Sequence, residues 1–172
     1  NQLIFMADDL MLAVIKDSSA KGVSIKQIPR PKPQKGELLV KVKAASICGT
    51  DISIYDWTPW AESHINPPIV IGHEIVGEVL EINGENPQNI KKGDLVSSET
   101  HIFCDKCYQC KIGNRHICEN MELFGIGRNG GFAEFATIPI RTSWKNDKSI
   151  PLDAMSSQEP LGNAVHVVEK AQ

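Results

Sequence analysis

Four of the five cysteines in this 172-residue chain lie within a span of fifteen residues, at Cys104, Cys107, Cys110 and Cys118. Their spacing, C-x2-C-x2-C-x7-C, brings four thiolates within reach of one tetrahedral zinc ion. An odd number of cysteines grouped this tightly makes a poor disulfide framework and is typical of a metal site in a reducing compartment. Because four thiolates leave no open position, the pattern predicts a structural zinc, with His116 on the surface rather than in the ligand set.

Two other interpretations of the cysteine cluster have to be weighed. Free or disulfide-paired thiols are disfavoured, because residues 100–124 contain too few apolar side chains to order a lobe without a metal ion. A zinc ribbon that binds nucleic acid would carry a basic surface, whereas the residues around the cysteines mix both signs and the chain has a net charge of -3. The sequence therefore predicts a structural zinc lobe over residues 100–124 and no nucleic-acid partner.

The fifth cysteine, Cys48, lies in the motif ICGTD, and the pair His73 and Glu74 lies in IGHEIVGEV. Each motif alone is unremarkable, since a lone cysteine is more often a small buried hydrophobe and a lone histidine is more often structural. Together with a carboxylate from Glu74 or Glu159, they would supply three metal ligands and leave a fourth position for water or substrate. An open fourth position is what a catalytic zinc requires, so the two motifs together form a candidate second zinc site.

Short strands must position these residues. The prolines and the glycine of residues 28–36 exclude a helix or a central strand and predict a connecting loop. Polar turns at residues 83–89 and 92–94 predict that the strands beside them pair in antiparallel fashion. The chain beyond the lobe resumes as a strand and ends as a helix. The pattern predicts a mostly β domain with a small lobe, and its first strand-like runs are Met11 to Lys16, Leu38 to Ala45, Ile69 to Ile82 and Asp94 to Ser98.

Four motifs carry a resemblance to a known family from Met11 to His166, which is nearly the whole chain. They are CGTD..IY.W..WA from Cys48, GHE..GEV from Gly72, HI.C..C..C..G..H.C.N from His101 and EPLGNAVH from Glu159. In this order they resemble the zinc-dependent medium-chain dehydrogenases of the alcohol dehydrogenase type, and they are most similar to the branch that oxidises L-threonine. The resemblance implies a GroES-like, partly open β-barrel at residues 11–157 with a small four-cysteine zinc lobe. Residues 158–172 would begin the connection to a nucleotide-binding domain.

The resemblance also implies roles for single residues at the catalytic zinc. Cys48, His73 and Glu74 would hold this ion. Glu159 would lie beside it as an alternate carboxylate that exchanges with Glu74 during turnover. Asp51 would hydrogen-bond the ligating His73 and fix its tautomer.

Two further residues are implied to act on the substrate. Thr50 would relay the proton of the substrate hydroxyl, and His101 would border the substrate pocket, with an ordinary surface histidine as the alternative. The family has a histidine two residues after the aspartate of CGTD, where this chain has Ser53. That serine leaves the proton relay shortened or completed by water. Polyols and other secondary alcohols therefore stay open beside L-threonine.

The chemistry that the resemblance implies is oxidation of a small secondary alcohol or hydroxy amino acid. Zinc would act as a Lewis acid on the substrate hydroxyl, and hydride would pass from carbon to NAD. With L-threonine the product would be 2-amino-3-oxobutanoate. The parent enzyme is expected to be a homo-oligomer, a tetramer by the resemblance.

The nucleotide-binding half of such an enzyme is missing from the sequence. The only G-x-G-x-x-G match, at Gly125, Gly127 and Gly130, leads into a strand-like run rather than a helix, and we expect it to form a turn. We therefore expect a fragment with neither dehydrogenase turnover nor tight NAD binding. The alternative from another class is a non-catalytic zinc-binding GroES-like scaffold, which needs no convergence of the CGTD and GHE motifs.

Composition and the start of the chain bear on location. No apolar run approaches the roughly 20 residues that span a bilayer. The opening residues lack the basic start and cleavage site of a secretory signal. Together with the cysteine usage, this predicts a cytoplasmic protein that does not bind membranes. Residues 1–5 leave the native start open between Met6 and Met11.

Overall fold

The computed structural model describes residues 9–171, so the question of the native start at residues 1–5 and Met6 lies outside the described residues. The helices are α1 (Gly49–Asp56), α2 (Pro59–His64), α3 (Tyr108–Lys111), α4 (Leu152–Ser156) and α5 (Gln158–Lys170), with 3-10 turns at Arg115–Ile117 and Ile140–Thr142. The strands are β1 (Leu10–Lys16), β2 (Ser24–Pro29), β3 (Glu37–Ser46), β4 (Ile69–Val70), β5 (Glu74–Asn83), β6 (Leu95–Ser98), β7 (His101–Ile102), β8 (Glu122–Leu123), β9 (Phe135–Pro139) and β10 (Ser143–Lys145).

Antiparallel sheets build the barrel. A five-stranded sheet runs in the order β10-β6-β5-β3-β9, a three-stranded sheet in the order β2-β1-β4, and β7 pairs with β8 alone. The predicted antiparallel pairing across the polar turns is present, since β5 pairs with β6. The prediction of a mostly β, partly open barrel with a small cysteine lobe is thus confirmed.

Alternating apolar residues of these strands form the main core, as the period-two pattern requires. The largest buried cluster comprises Leu38, Val40, Ile75, Val79, Ile90, Val96, Ile102, Phe124, Ala136, Ile138 and Ile140. Ile102 and Phe124 come from the two ends of the cysteine lobe and are 3% and 1% exposed. The lobe is therefore anchored in the barrel at both ends, while its middle has no apolar cluster of this kind among the described residues.

The run from Ile69 to Ile82, predicted as one strand, is two strands separated by residues 71–73. Gly72 breaks it, because its φ of +88° lies in the left-handed region that other residues rarely adopt. A side chain there would also meet the Phe132 ring, 2.2 Å from the position of a Cβ. Because of the break, His73 lies outside both strands and directly precedes Glu74, the first residue of β5.

Three elements in the described part of the chain before residue 100 were absent from the sequence-based expectation. The strand β2 ends at Pro29, inside the segment predicted as loop, and it can do so because it lies at the edge of its sheet, where a missing N–H costs no ladder bond. Helices α1 and α2 follow β3 directly. Their few residues show no helical apolar period, so propensity alone could not reveal them.

The end of the chain is helical, as predicted. The helix α5 buries Glu159 in its first turn, whereas its residues from 161 onward are exposed. Within residues 9–171, none of the helices has the length and apolar character needed to cross a bilayer.

Candidate metal centres

The four clustered cysteines converge on one point of the lobe. The Sγ atoms of Cys104, Cys107, Cys110 and Cys118 all lie within 4.8 Å of one another, and all four are free thiols. The backbone N–H groups of Lys106 and Cys107 donate to Cys104 Sγ at 3.4 and 3.3 Å. Cys104 in turn donates its own N–H to Cys118 Sγ at 3.3 Å. Backbone donors aimed at sulfur stabilise thiolates, which are the form that binds metal.

The thiols of the lobe differ in acidity. The backbone hydrogen bonds from Lys106 and Cys107 lower the pKa of Cys104 to about 6. Burial raises the pKa of Cys110 to about 12, and its neighbouring sulfurs act in the same direction. Four sulfurs this close cannot all ionise unless a cation offsets their charge. The donor set therefore fits a structural zinc ion, which takes four thiolates at about 2.3 Å.

A second cluster unites Cys48, His73 and Glu74, whose ligand atoms also lie within 4.8 Å of one another. Cys48 is the N-cap of α1, and His73 and Glu74 stand where the chain enters β5. Strand pairing brings the two segments together, because Ser46 of β3 faces Glu74 of β5 and Cys48 follows two residues later. His73 and Glu74 are 5% and 6% exposed, whereas Cys48 is half-buried at the edge of the cluster.

Asp51 lies behind this cluster. Its Oδ2 accepts the backbone N–H of Cys48 at 2.9 Å, while its Oδ1 lies 3.7 Å from His73 Nδ1. These last two atoms are both buried and lack a hydrogen-bond partner. Burial raises the pKa of Asp51, against the backbone hydrogen bond from Cys48 and the attraction of His73.

This pair of orphaned atoms suits metal binding at His73. When Nδ1 of His73 carries the proton and directs it at Asp51, the imidazole is neutral and Nε2 keeps the free lone pair that a metal ligand needs. One thiolate, one imidazole and one carboxylate are ligands that zinc accepts. The residues present therefore fit a three-ligand zinc site with one position open.

Comparison with known proteins supplies the family. The sequence profile of the alcohol dehydrogenase GroES-like domain matches residues 34–148. The chain belongs to the alcohol dehydrogenase GroES-like domain family. It is 55% identical over 161 residues to an L-threonine 3-dehydrogenase of Caldanaerobacter subterraneus, covering 94% of this chain and 46% of that protein.

Two further relatives agree with this placement of the GroES-like domain. An L-threonine 3-dehydrogenase of Pyrococcus abyssi is 50% identical over 158 residues, which are 92% of this chain and 45% of that protein. Among solved structures, a Sinorhizobium meliloti protein classed as a zinc-binding dehydrogenase and bound to NADP superposes with a TM-score of 0.82 at 32% identity. The match covers 93% of this chain and 45% of that protein. The chain thus spans about half the length of the curated relatives it matches.

Glu159, expected beside the second zinc, belongs to a third cluster of possible metal ligands. Its carboxylate lies within 4.8 Å of the ligand atoms of Glu99 and His101, and Glu159 is 5% exposed. Burial and the charge of Glu99 raise the pKa of Glu159, and His73 opposes this shift. Glu159 therefore groups with Glu99 and His101, and it is not among the three residues that converge at His73 and Cys48.

His101 is held by Glu99, which sequence analysis missed. His101 Nδ1 lies 2.6 Å from Glu99 Oε1, and this contact raises the pKa of His101 against the effect of burial. Burial raises the pKa of Glu99, but its bonds with His101 outweigh that and leave it lowered. The signal was present in the sequence, since residues two apart in an extended segment share a face.

A cavity of about 510 Å³ opens beside the third cluster, lined by Glu99, His101, Phe103, Arg115, His116 and His166 among others. His116 is exposed, as expected, and its ring lies 5.3 Å from that of His166 on α5. A second missed residue, Asn163, donates to Glu159 Oε1 at 3.2 Å. Four residues separate the two on one helix, a spacing that places side chains on the same face.

The remaining residues of interest lie near the start of α1 and in the glycine motif. Thr50 and Ser53 are both half-buried in α1. The motif at Gly125, Gly127 and Gly130 forms a turn between β8 and β9, as expected, and is followed by a strand rather than a helix. Its last glycine packs on the segment before His73, since a Cβ at Gly130 would lie 2.2 Å from the carbonyl oxygen of Gly72.

Proposed function

We propose that this chain is the metal-binding catalytic domain of a zinc-dependent, NAD(P)-linked dehydrogenase that oxidises L-threonine to 2-amino-3-oxobutanoate. The observation that carries the proposal is the convergence of Cys48, His73 and Glu74, whose ligand atoms lie within 4.8 Å of one another. Three relatives at 50% identity or more are named L-threonine 3-dehydrogenases, which favours this substrate.

Two zinc ions per chain are part of the proposal. Cys104, Cys107, Cys110 and Cys118 hold a structural ion that orders the lobe. The second ion, when bound at Cys48, His73 and Glu74, supplies Lewis-acid polarisation of the substrate hydroxyl. Asp51 faces Nδ1 of His73 and so favours the tautomer in which the imidazole can ligate.

The chain's own residues handle the substrate and its proton. Thr50, half-buried one residue before Asp51, accepts the hydroxyl proton and passes it on through Ser53 and water. Glu159 supplies the alternate carboxylate that exchanges with Glu74 during turnover, and burial, with the charge of Glu99, raises its pKa. His101 and Glu99, joined by the 2.6 Å contact between Nδ1 and Oε1, border the cavity and bind the polar groups of the substrate.

The nicotinamide cofactor binds outside this chain in the proposal. A relative of the same fold carries NADP, and the present chain corresponds to about half of such proteins. The glycine motif at Gly125 is a packed turn that leads to a strand, which does not suit a dinucleotide site. We infer that a nucleotide-binding domain completes the enzyme and that the enzyme assembles as a homotetramer.

A second candidate substrate class has one observation in its favour. Ser53 stands where the family's relay histidine is expected, and a relay without that histidine does not distinguish L-threonine from polyols or butanediols. Activity on a secondary alcohol without an amino group is the corresponding alternative.

The test is a substrate panel on the full-length protein that carries this chain. L-Threonine, sorbitol and 2,3-butanediol are each assayed with NAD and with NADP, and Cys48→Ser serves as the control without the catalytic ion. L-Threonine is expected to give the highest kcat/KM, and Cys48→Ser is expected to abolish it while the fold persists. A higher kcat/KM for a diol would move the assignment to the alternative class, and full activity of Cys48→Ser would reject the catalytic role of the site.

A further inference from the structure

Lys16, the last residue of β1, is buried to 0% exposure, which is unusual for a lysine. Its ammonium donates to three backbone carbonyl oxygens: Ala20, Gly22 at 3.0 Å and Tyr55 at 3.2 Å. An ammonium has three donors, so every one of them is satisfied without a carboxylate contact. Lys16 ends its strand, where a lysine side chain could extend into solvent. Its burial therefore needs a structural explanation.

The three carbonyls show what Lys16 joins. Tyr55 lies in the last turn of α1, where orphan carbonyls and the negative end of the helix dipole favour a cation. Residues 20–22 form the loop after β1, and Gly22 also donates its N–H to the Tyr55 oxygen at 2.7 Å. Lys16 therefore fastens the C-terminal end of α1 to the loop that follows β1.

Trp57, the C-cap of α1, is held in the same place. Its φ of 55° lies in the left-handed region, which costs a non-glycine residue free energy unless neighbouring contacts fix it. The Lys16 ammonium lies 5.0 Å from the centroid of the Trp57 ring, within cation–π range. The cation thus stabilises both the last turn of α1 and its strained cap.

The backbone of Lys16 contacts the other ligand-bearing segment. Lys16 pairs with Ile69, the first residue of β4. Gly72 follows three residues later, and His73 and Glu74 come directly after it. At the opposite end of α1, about 12 Å away along an eight-residue helix, stands Cys48. One residue therefore connects the segment that carries Cys48 with the segment that carries His73.

We propose that Lys16 is a positioning residue for the metal-ligand set of Cys48, His73 and Glu74, acting through α1 and β4. The inference rests on the proposed function, because it assumes that these three residues hold the catalytic zinc. Other contacts also hold α1, namely the bond from Cys48 to Asp51 and the burial of Ile54 in a core cluster. Loss of Lys16 should therefore loosen the site in a graded way, by about tenfold in metal affinity.

The experiment compares Lys16→Met with Lys21→Met in the full-length protein. Lys21 is the matched control, since it forms an exposed ion pair with Asp56 at the same end of α1, with Lys21 Nζ 2.8 Å from Asp56 Oδ1. Zinc content under a graded chelator is measured for each variant, together with the cobalt–thiolate absorption of the cobalt-substituted protein. Lys16→Met is expected to lose one of its two zinc ions at about tenfold lower chelator concentration than the wild type, and its cobalt absorption spectrum is expected to shift. Lys21→Met is expected to match the wild type in both measurements.

The outcomes separate the two ideas. A wild type that holds one ion overturns the proposed function and the inference that rests on it. A wild type with two ions whose retention and cobalt spectrum are unchanged in Lys16→Met overturns the positioning role alone. If Lys16→Met does not fold, Lys16→Gln is tested instead, because the glutamine amide can still donate hydrogen bonds to some of the three carbonyl oxygens. Lys16→Gln is expected to weaken the same ion by a smaller factor, and unchanged retention in a folded Lys16→Gln overturns the inference.

Discussion

Replacing Gly130 by alanine should destabilise the domain sharply, because the turn at residues 125–131 packs on the segment before His73. A Cβ at Gly130 would lie 2.2 Å from the Gly72 carbonyl oxygen, 2.6 Å from Gly125 Cα and 2.8 Å from the Ile71 oxygen. All three are backbone atoms, so no side chain can rotate away and the turn itself must move. We expect a loss near the upper end of the range for overpacking, about 3 kcal/mol.

The turn cannot move without weakening other contacts. Gly130 donates its N–H to the Val70 oxygen at 2.7 Å, and Gly131 donates to the Gly72 oxygen at 2.9 Å. A loss of about 3 kcal/mol corresponds to a drop of about 6 to 12 °C in the melting temperature of a domain of this size. The displaced Gly72 should also shift His73 and weaken metal binding there.

Gly127→Ala is the matched control within the same motif. The nearest atoms to its Cβ would be Leu123 N at 3.5 Å and Leu123 O at 3.7 Å, which are ordinary contacts. The free energy of unfolding of Gly127→Ala should change by no more than about 0.5 kcal/mol, as for a neutral surface substitution. Its melting temperature should therefore stay close to that of the wild type. Thermal unfolding by circular dichroism of wild type and both variants decides the matter. Equal melting temperatures for Gly130→Ala and Gly127→Ala would refute the packing role of this turn.

Three further predictions concern the lobe, a buried carboxylate and the cofactor. Cys118→Ser removes one of four ligands from a closed site, so limited proteolysis should cut residues 100–124 far faster than in the wild type, whereas Cys48→Ser should leave that rate unchanged. Burial raises the pKa of Asp94, but hydrogen bonds from Lys91 N–H and Lys145 outweigh burial and leave it below the usual 3.8. The stabilisation from this lowered pKa is present above pH 3.8 and is lost as the pH falls through the folded-state pKa. The melting temperature of Asp94→Asn should therefore fall furthest below that of the wild type near neutral pH, and the difference should shrink in acid. A difference that does not change with pH would count against this prediction. Calorimetry of residues 1–172 should detect no tight NAD binding and assays no turnover, and micromolar affinity would contradict that expectation.

The sequence was most informative where residue type and short spacing decide the structure. The spacing of Cys104 to Cys118 is local, so their convergence could be predicted without knowing the fold. Cys48 and His73 lie 25 residues apart, and only the resemblance of their motifs linked them; the structural reason, the pairing of β3 with β5, is not visible in either motif.

Other features depend on tertiary contacts that leave no local pattern. The helix α1 has too few residues to show an apolar period, and it is stabilised by a capping box at Cys48 and by Lys16 from a distant strand. Gly72 could have been recognised as a break, but its φ of +88° and its contact with the Phe132 ring depend on the fold. The placement of Glu159 with Glu99 and His101 depends on how α5 docks against β5 and β6, which a single sequence does not reveal.

Metal content distinguishes two zinc sites of different kinds in this chain from a single structural site. Elemental analysis of wild type, His73→Ala and Cys110→Ser, each purified without chelator, would give the number of zinc ions per chain. We expect two ions in the wild type and one in His73→Ala, which keeps the lobe resistant to protease. In Cys110→Ser we expect loss of the lobe's ion. A single ion in the wild type, unaffected by His73→Ala, would rule out the second site and leave a zinc-bound scaffold without a catalytic site.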